Sequence, residues 1–229
     1  MWPTPPVRCD RNPLRSRKSR SMKEAKNKVR RQPSFDLIAG NVCLDFVNTL
    51  DDRHIKPKEL LGTYDDFLRF GEDAALLEAS PGERLSKRSH TEPDRAQDAL
   101  RRARELRESI HDVFWAIIEK RRVPSEALAK LNREIQISAE HLCLAPADGR
   151  FQWRFDDLSD FDALRWKIAR SAGDLLASDQ LPFVRACSSK DCEWFFLDTS
   201  KNHHRRWCDM KRCGNRAKVR RFYAKKRTA

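Results

Sequence analysis

Glycine is scarce in this chain, with 7 in 229 residues. None of them sits in a phosphate-cradling loop, and this argues against a nucleotide-binding fold. The nucleophile elbow of the hydrolases and the HExxH pair of the metalloproteases are missing as well, so no catalytic residue is expected. No stretch approaches the roughly 18 consecutive apolar residues of a membrane span, and no apolar core follows the basic N-terminal run as a signal peptide would require. The expected location is the cytoplasm, with no membrane partner. In such a reducing compartment, seven cysteines, an odd number, favour metal ligation or free thiols over a disulfide framework.

What the chain has in excess is positive charge, +13 overall, and it is unevenly placed. Residues 1–33 hold 11 Lys/Arg against 2 acids, residues 185–229 hold 14 against 4, and the middle holds 22 against 28. Basic ends on an acidic centre point to a polyanion partner for the ends and none for the centre. Residues 1–33 are rich in Pro, Ser, Arg and Lys without apolar periodicity, and are expected to form a disordered basic tail. The tail reads either as a nucleic-acid arm or as a dispensable extension.

From Phe35 the pattern changes. "FDLIAGNVCLDFVNTL" reads as strand, turn at Gly40 and Asn41, then helix, and "YDDFLRFGEDAALLEAS" as one or two short helices broken near Gly71. A long helix is expected over "DRAQDALRRARELRESIHDVFWAIIEKRR", where Ala99, Ala103, Leu106, Ile110, Val113, Phe114, Ile117 and Ile118 recur with a period near 3.6 and Pro124 stops the run. Ser125 is the expected N-cap of the next helix. In "LCLAPADGRFQWRFDD" alternation with Phe151, Trp153 and Phe155 on one apolar side and a turn at Asp148-Gly149 predicts a hairpin, and a last helix carries Leu164, Ile168, Ala172, Leu175 and Leu176. The fold class is therefore α+β, with a mainly helical central domain over residues 34–182 and a small unit over residues 183–229.

That small unit holds Cys187-x4-Cys192 and Cys208-x4-Cys213, the logic of a structural Zn2+ site with two thiolates from each of two turns. His203 or His204 in place of one cysteine, and an iron–sulfur cluster, are the alternatives. Strands over 193–197 and 203–207, a positive-φ Gly214, an Asn215 N-cap and a helix from Arg216 would give the order of a treble-clef zinc finger. Too short to be held by apolar burial alone, the unit would gain order from metal binding worth about 10–16 kcal/mol. Val219, Phe222 and Tyr223 would pack on the zinc module. Arg205, Arg206, Arg216, Lys218, Arg220, Arg221 and Lys225 would face outward, where arginine suits phosphate oxygens and guanine edges.

"RRWCDMKRCGNRAKVRRFYAKKR" contains Cys213-Gly214-Asn215-Arg216, the signature of the CGNR zinc-finger family, and "FDLIAGNVCLDFVNTLDDR" resembles the opening of the ABATE domain that accompanies it in bacterial proteins. The resemblance runs from about Phe35 to Arg227. It implies a stress-related transcription regulator whose finger binds zinc through Cys187, Cys192, Cys208 and Cys213 and binds DNA, with Arg216 on the DNA-facing surface. By the same likeness the ABATE-like domain binds a small ligand or a protein partner. A pocket there could be lined by Asp45, Asn48 and Thr49, polar residues in an apolar helix, although capping or bonding to a neighbouring loop is the favoured account of them. A nucleoid-associated location and a homodimer are compatible with this reading. RNA or the ribosome is the alternative polyanion, and an enzyme in the central domain the alternative class.

Overall fold

The computed structural model describes residues 34–227, the side chains of 224, 225 and 227 excepted. The expected tail therefore lies outside the described residues. In chain order the elements are α1 Val42–Val47, β1 Leu50–Asp51, β2 Lys58–Glu59, α2 Tyr64–Asp73, α3 Ala79–Thr91, α4 Pro93–Ile118, α5 Ser125–Glu140, β3 Leu142–Ala147, β4 Arg150–Phe155 and α6 Ala163–Leu176. A short 3-10 turn Leu181–Phe183, β5 Val184–Ala186, β6 Phe195–Leu197 and α7 Asn215–Arg227 complete the chain. Among the described residues the result is a mainly helical central region with two two-stranded antiparallel ribbons, β1–β2 and β3–β4, followed by the cysteine-rich end, which holds a third, β5–β6. Among the described residues no helix is long and apolar enough to cross a membrane.

The short α1 is the hub. Gly40 takes φ +78 and Asn41 then caps the helix, its side chain accepting from the Cys43 amide at 3.0 Å. All of Cys43 to Val47 is buried, with α4, α6 and β6 packed around it. Residues 34–38 form no helix or strand. The next residue, Ala39, accepts through its carbonyl from the Leu197 amide of β6 at 2.7 Å.

Of its predicted face the long α4 buries Ala99, Ala103, Leu106, Ile110, Val113 and Phe114 and leaves Ile117 and Ile118 half-buried, and it begins with Pro93, whose missing N–H costs nothing in a first turn. In α2 a capping box joins Thr63 and Asp66, and the helix runs through Gly71 without the expected break. A Cβ on Gly71 would lie 2.7 Å from Leu164 Cδ2, so glycine there permits close packing of α2 on α6. The sequence reading missed α3, whose first turn contains Pro81 and Gly82 and whose apolar residues are few. Ser125 is already helical, and Pro124 precedes it without a side-chain cap.

The β3–β4 hairpin has the expected turn, with positive φ at both Asp148 (45) and Gly149 (77), the geometry that matches strand twist. Phe151 and Trp153 on its predicted apolar side are exposed.

β5 and β6 pair in the register Val184↔Leu197 and Ala186↔Phe195. This overturns the expected hairpin between 193–197 and 203–207, and residues 203–207 form no strand. Trp194 to Leu197 are all buried and belong to the same core as Phe46 and Phe114. A buried aromatic or leucine side chain contributes about 1.5–3 kcal/mol. The C-terminal unit is therefore held by shared apolar burial as well as by any metal.

Candidate zinc centre and basic face

The first cysteine pair lies in the connection between β5 and β6. Ladder bonding extends one step past β5, the Cys187 amide donating to the Trp194 carbonyl at 2.9 Å, and a tight turn closes as the Cys192 amide donates to the Ser189 carbonyl at 3.1 Å. Glu193, at φ 58, redirects the chain into β6. Of the second pair, Cys208 precedes and Cys213 lies within a widened helical turn, Met210–Gly214, that leads directly into α7. Its cap is Asp209, which accepts from the Lys211 amide at 2.7 Å.

Asn215 is not the cap. It is already helical, and its Nδ2 donates to the Lys211 carbonyl at 3.1 Å. Gly214 does not carry a positive φ either; a Cβ there would meet Met210 Sδ at 2.6 Å, a contact that the exposed, flexible methionine relieves by moving.

The fold brings all four sulfurs within 4.8 Å of one another, and no other such cluster of metal-binding side chains occurs among the described residues. Cys187, Cys208 and Cys213 are buried and Cys192 is half-buried. Cys192 and Cys208 Sγ are 3.5 Å apart, and Cys208 and Cys213 Sγ 3.6 Å. Thiolates at about 2.3 Å from one tetrahedral ion stand about 3.8 Å apart, so the donor set fits zinc. Crowding divides the thiols: hydrogen bonds from Cys192 and Cys208 favour the thiolate at Cys187, while bonding to that thiolate holds the proton on Cys192 and Cys208. Four thiolates in this space require a cation between them.

His203 and His204 do not join the cluster. The His203 ring stacks on Phe183 at 3.8 Å with Nδ1 2.8 Å from the Asp198 carbonyl oxygen, and His204 is exposed.

The seven predicted basic residues divide into two sets. Arg205 is half-buried, donates to the carbonyls of Trp207 (2.9 Å) and Cys208, and lies over the Phe196 ring at 4.5 Å. It holds the second cysteine loop against β6, and this corrects the expectation that it faces outward. Arg216 donates to Cys213 Sγ at 3.1 Å, and Arg220 pairs with Asp191 and donates to Ser189 Oγ at 2.9 Å. Both are exposed, yet both are engaged with the cysteine loops. Arg206, Lys218 and Arg221 are exposed without an ion-pair partner among the described residues, and the Lys225 side chain lies outside them.

Val219, Phe222 and Tyr223 do not pack on the zinc module. They are 54%, 60% and 61% exposed, because α7 leaves the body beyond its first turns and nothing described lies across its apolar arc.

The expected pocket at Asp45, Asn48 and Thr49 is not formed. Asp45 accepts from the Ala39 amide at 2.9 Å. Asn48 exchanges two hydrogen bonds with the Phe195 main chain, and Thr49 bonds the Phe46 carbonyl and receives Arg107 at 3.2 Å. All three are buried and spent on joining α1 to its surroundings. Burial raises the Asp45 carboxyl to about 6, against the lowering effect of main-chain bonds at Ala39 and Ile38.

Two residues that the sequence reading did not select stand beside the centre. Lys211 and Arg212, between the second pair of cysteines, join Asn215, Arg216, Val219 and Arg220 around an open groove of about 580 Å³. Two cations inside a ligand pair were the available signal.

Comparison with protein families finds two matches. Residues 40–179, more than half of the chain, match the family ABATE, described as "putative stress-induced transcription regulator", and residues 184–226 match the CGNR zinc finger. A search of curated proteins finds no significant match.

Proposed function

Since the chain belongs to the ABATE family and ends in a CGNR zinc finger, we propose that it is a DNA-binding transcription regulator rather than an enzyme. Cys187, Cys192, Cys208 and Cys213 hold one Zn2+ as a structural staple, four thiolates leaving no open position for catalysis. The bound ion carries a net charge of −2 with its thiolates, and Arg216 at Cys213 Sγ offsets part of it on the side facing α7. Lys218, Arg221 and Arg206 supply free cations for phosphate oxygens, with Arg216 and Arg220 beside them.

The observation that carries this reading is the cluster of four sulfurs at the root of a 13-residue helix whose cations largely face solvent. The central domain, residues 34–182, acts as the mount that fixes the finger, residues 183–229. Its hydrogen bonds at Asn48 and its shared core support a rigid rather than a tethered reader.

The test is binding of the zinc-loaded protein to duplex DNA and to structured RNA at matched salt, with elemental analysis alongside. One zinc per chain, preference for duplex DNA and a steep fall of affinity with salt are expected. Preference for RNA would favour the alternative polyanion, and a chain without stoichiometric metal would overturn the reading.

A further inference from the structure

The groove beside α7 has an asymmetry of charge. Four of its six lining residues are cations, Lys211, Arg212, Arg216 and Arg220, and none is an acid. Its two walls are fixed relative to each other. Lys211 and Arg212 lie between Cys208 and Cys213, while Arg216 and Arg220 are one helical turn apart on α7 and so share a face.

Two of these guanidinium groups are each occupied by a single carboxylate from outside the groove. Arg212 pairs with Asp36, from the segment before α1, and Arg220 pairs with Asp191, from the first cysteine loop. All four side chains are between 38% and 56% exposed. Pairs this wet contribute little to stability, and a phosphate offering two oxygens to an arginine outcompetes a carboxylate so weakly held.

We propose that this groove is the track for one phosphate strand of duplex DNA, and that Asp36 and Asp191 are built-in competitors that lower its affinity until the strand displaces them. The proposal rests on the DNA-binding reading and adds Lys211 and Arg212 to the binding surface. Asp36 precedes α1 whereas Arg212 lies in the finger, 176 residues later, so entry of the strand releases a contact between the central domain's leading segment and the finger. Arg212 also lies over the Trp194 ring at 5.0 Å, which keeps the guanidinium at the groove when its carboxylate leaves.

The experiment is fluorescence anisotropy of the full-length, zinc-loaded protein with a labelled mixed-sequence duplex of about 20 base pairs, at salt from about 50 to 200 mM. Asp36→Asn and Asp191→Asn keep the side-chain shape and remove the competing charge. Each should tighten binding about twofold to fivefold at low salt. Asp148→Asn, at the tip of the β3–β4 hairpin, removes one negative charge elsewhere and should change affinity less. Arg212→Ala should weaken binding and reduce the salt slope by about one unit. Zinc content, measured for every variant, should match the parent.

If the parent binds duplex DNA but Asp36→Asn and Asp191→Asn bind no more tightly than Asp148→Asn, the competitor role is wrong. If Arg212→Ala keeps both affinity and slope, the track is wrong. Failure of the parent and every variant to bind duplex DNA would overturn the DNA reading itself, and the proposal with it.

Discussion

The carboxamide of Asn48 and the main chain of Phe195 exchange two hydrogen bonds of 2.9 Å each: Nδ2 donates to the Phe195 carbonyl, and the Phe195 amide donates to Oδ1. A side chain at the end of α1 thereby takes the place of a neighbouring strand for β6, the strand that follows the first cysteine pair. Two buried polar groups of β6 are satisfied from the central domain, and the finger is welded to it.

Asn48→Ala leaves the Phe195 amide and carbonyl buried without these partners. Unsatisfied groups of this kind cost about 1–3 kcal/mol each, so a loss of about 2–6 kcal/mol of stability is expected. Urea unfolding followed by tryptophan fluorescence measures it. A change below about 0.5 kcal/mol would show that water replaces the carboxamide.

A chain ending at residue 182 lacks β6 and with it the buried Trp194, Phe195, Phe196 and Leu197. Phe46, Val47 and Phe114 lose part of their covering, at about 1.5–3 kcal/mol per side chain removed. Such a sum is comparable with the whole stability of a domain. The truncated chain should show no cooperative thermal transition by circular dichroism; a sharp melt would mean that the central region folds alone.

Arg216→Ala removes the N–H donated to Cys213 Sγ. Loss of an outer partner to a metal ligand typically lowers metal affinity by 10- to 100-fold. Competition against a colorimetric chelator should show a drop of about that size, with Arg216→Lys retaining part of the affinity.

Asp45 gives a pH dependence of definite sign. Its carboxyl, ordinarily near 3.8, is raised by burial to about 6, so the folded state holds a proton that the unfolded chain releases earlier. Stability therefore falls as pH rises from about 4 to 6 and stays lower above that window, by about 1–3 kcal/mol. Asp45→Asn keeps an oxygen for the Ala39 amide and carries no charge. Melting temperatures of the two proteins should agree near pH 4 and separate by pH 8, the variant being more stable; parallel profiles would show that Asp45 is solvated.

Features encoded within a few residues were legible in advance. The α4 face, the turn at Asp148-Gly149 and the two cysteine pairs depend on spacings of two to five residues, over which the chain's own geometry decides. The strand paired with Phe195–Leu197 was not legible, because Val184–Ala186 and residues 203–207 both lie near enough to form a hairpin with it. Burial of residues 194–197 against α1 and α4 chose the first. For the basic residues, charge alone could not separate Arg205, which braces the second cysteine loop from within, from Lys218, which has no such partner among the described residues.

The sequence by itself determined a helical body, a four-sulfur site and a cationic end, since periodicity, thiol spacing and net charge are properties of the chain before it folds. Only the tertiary structure decided that Asn48 is a clamp and not a pocket residue, that no other described element covers the apolar arc of α7, and that Asp36 meets Arg212. Each of these depends on a partner that lies far along the chain, or on one missing where the sequence suggested it, and the choice is made by the packing of the whole core.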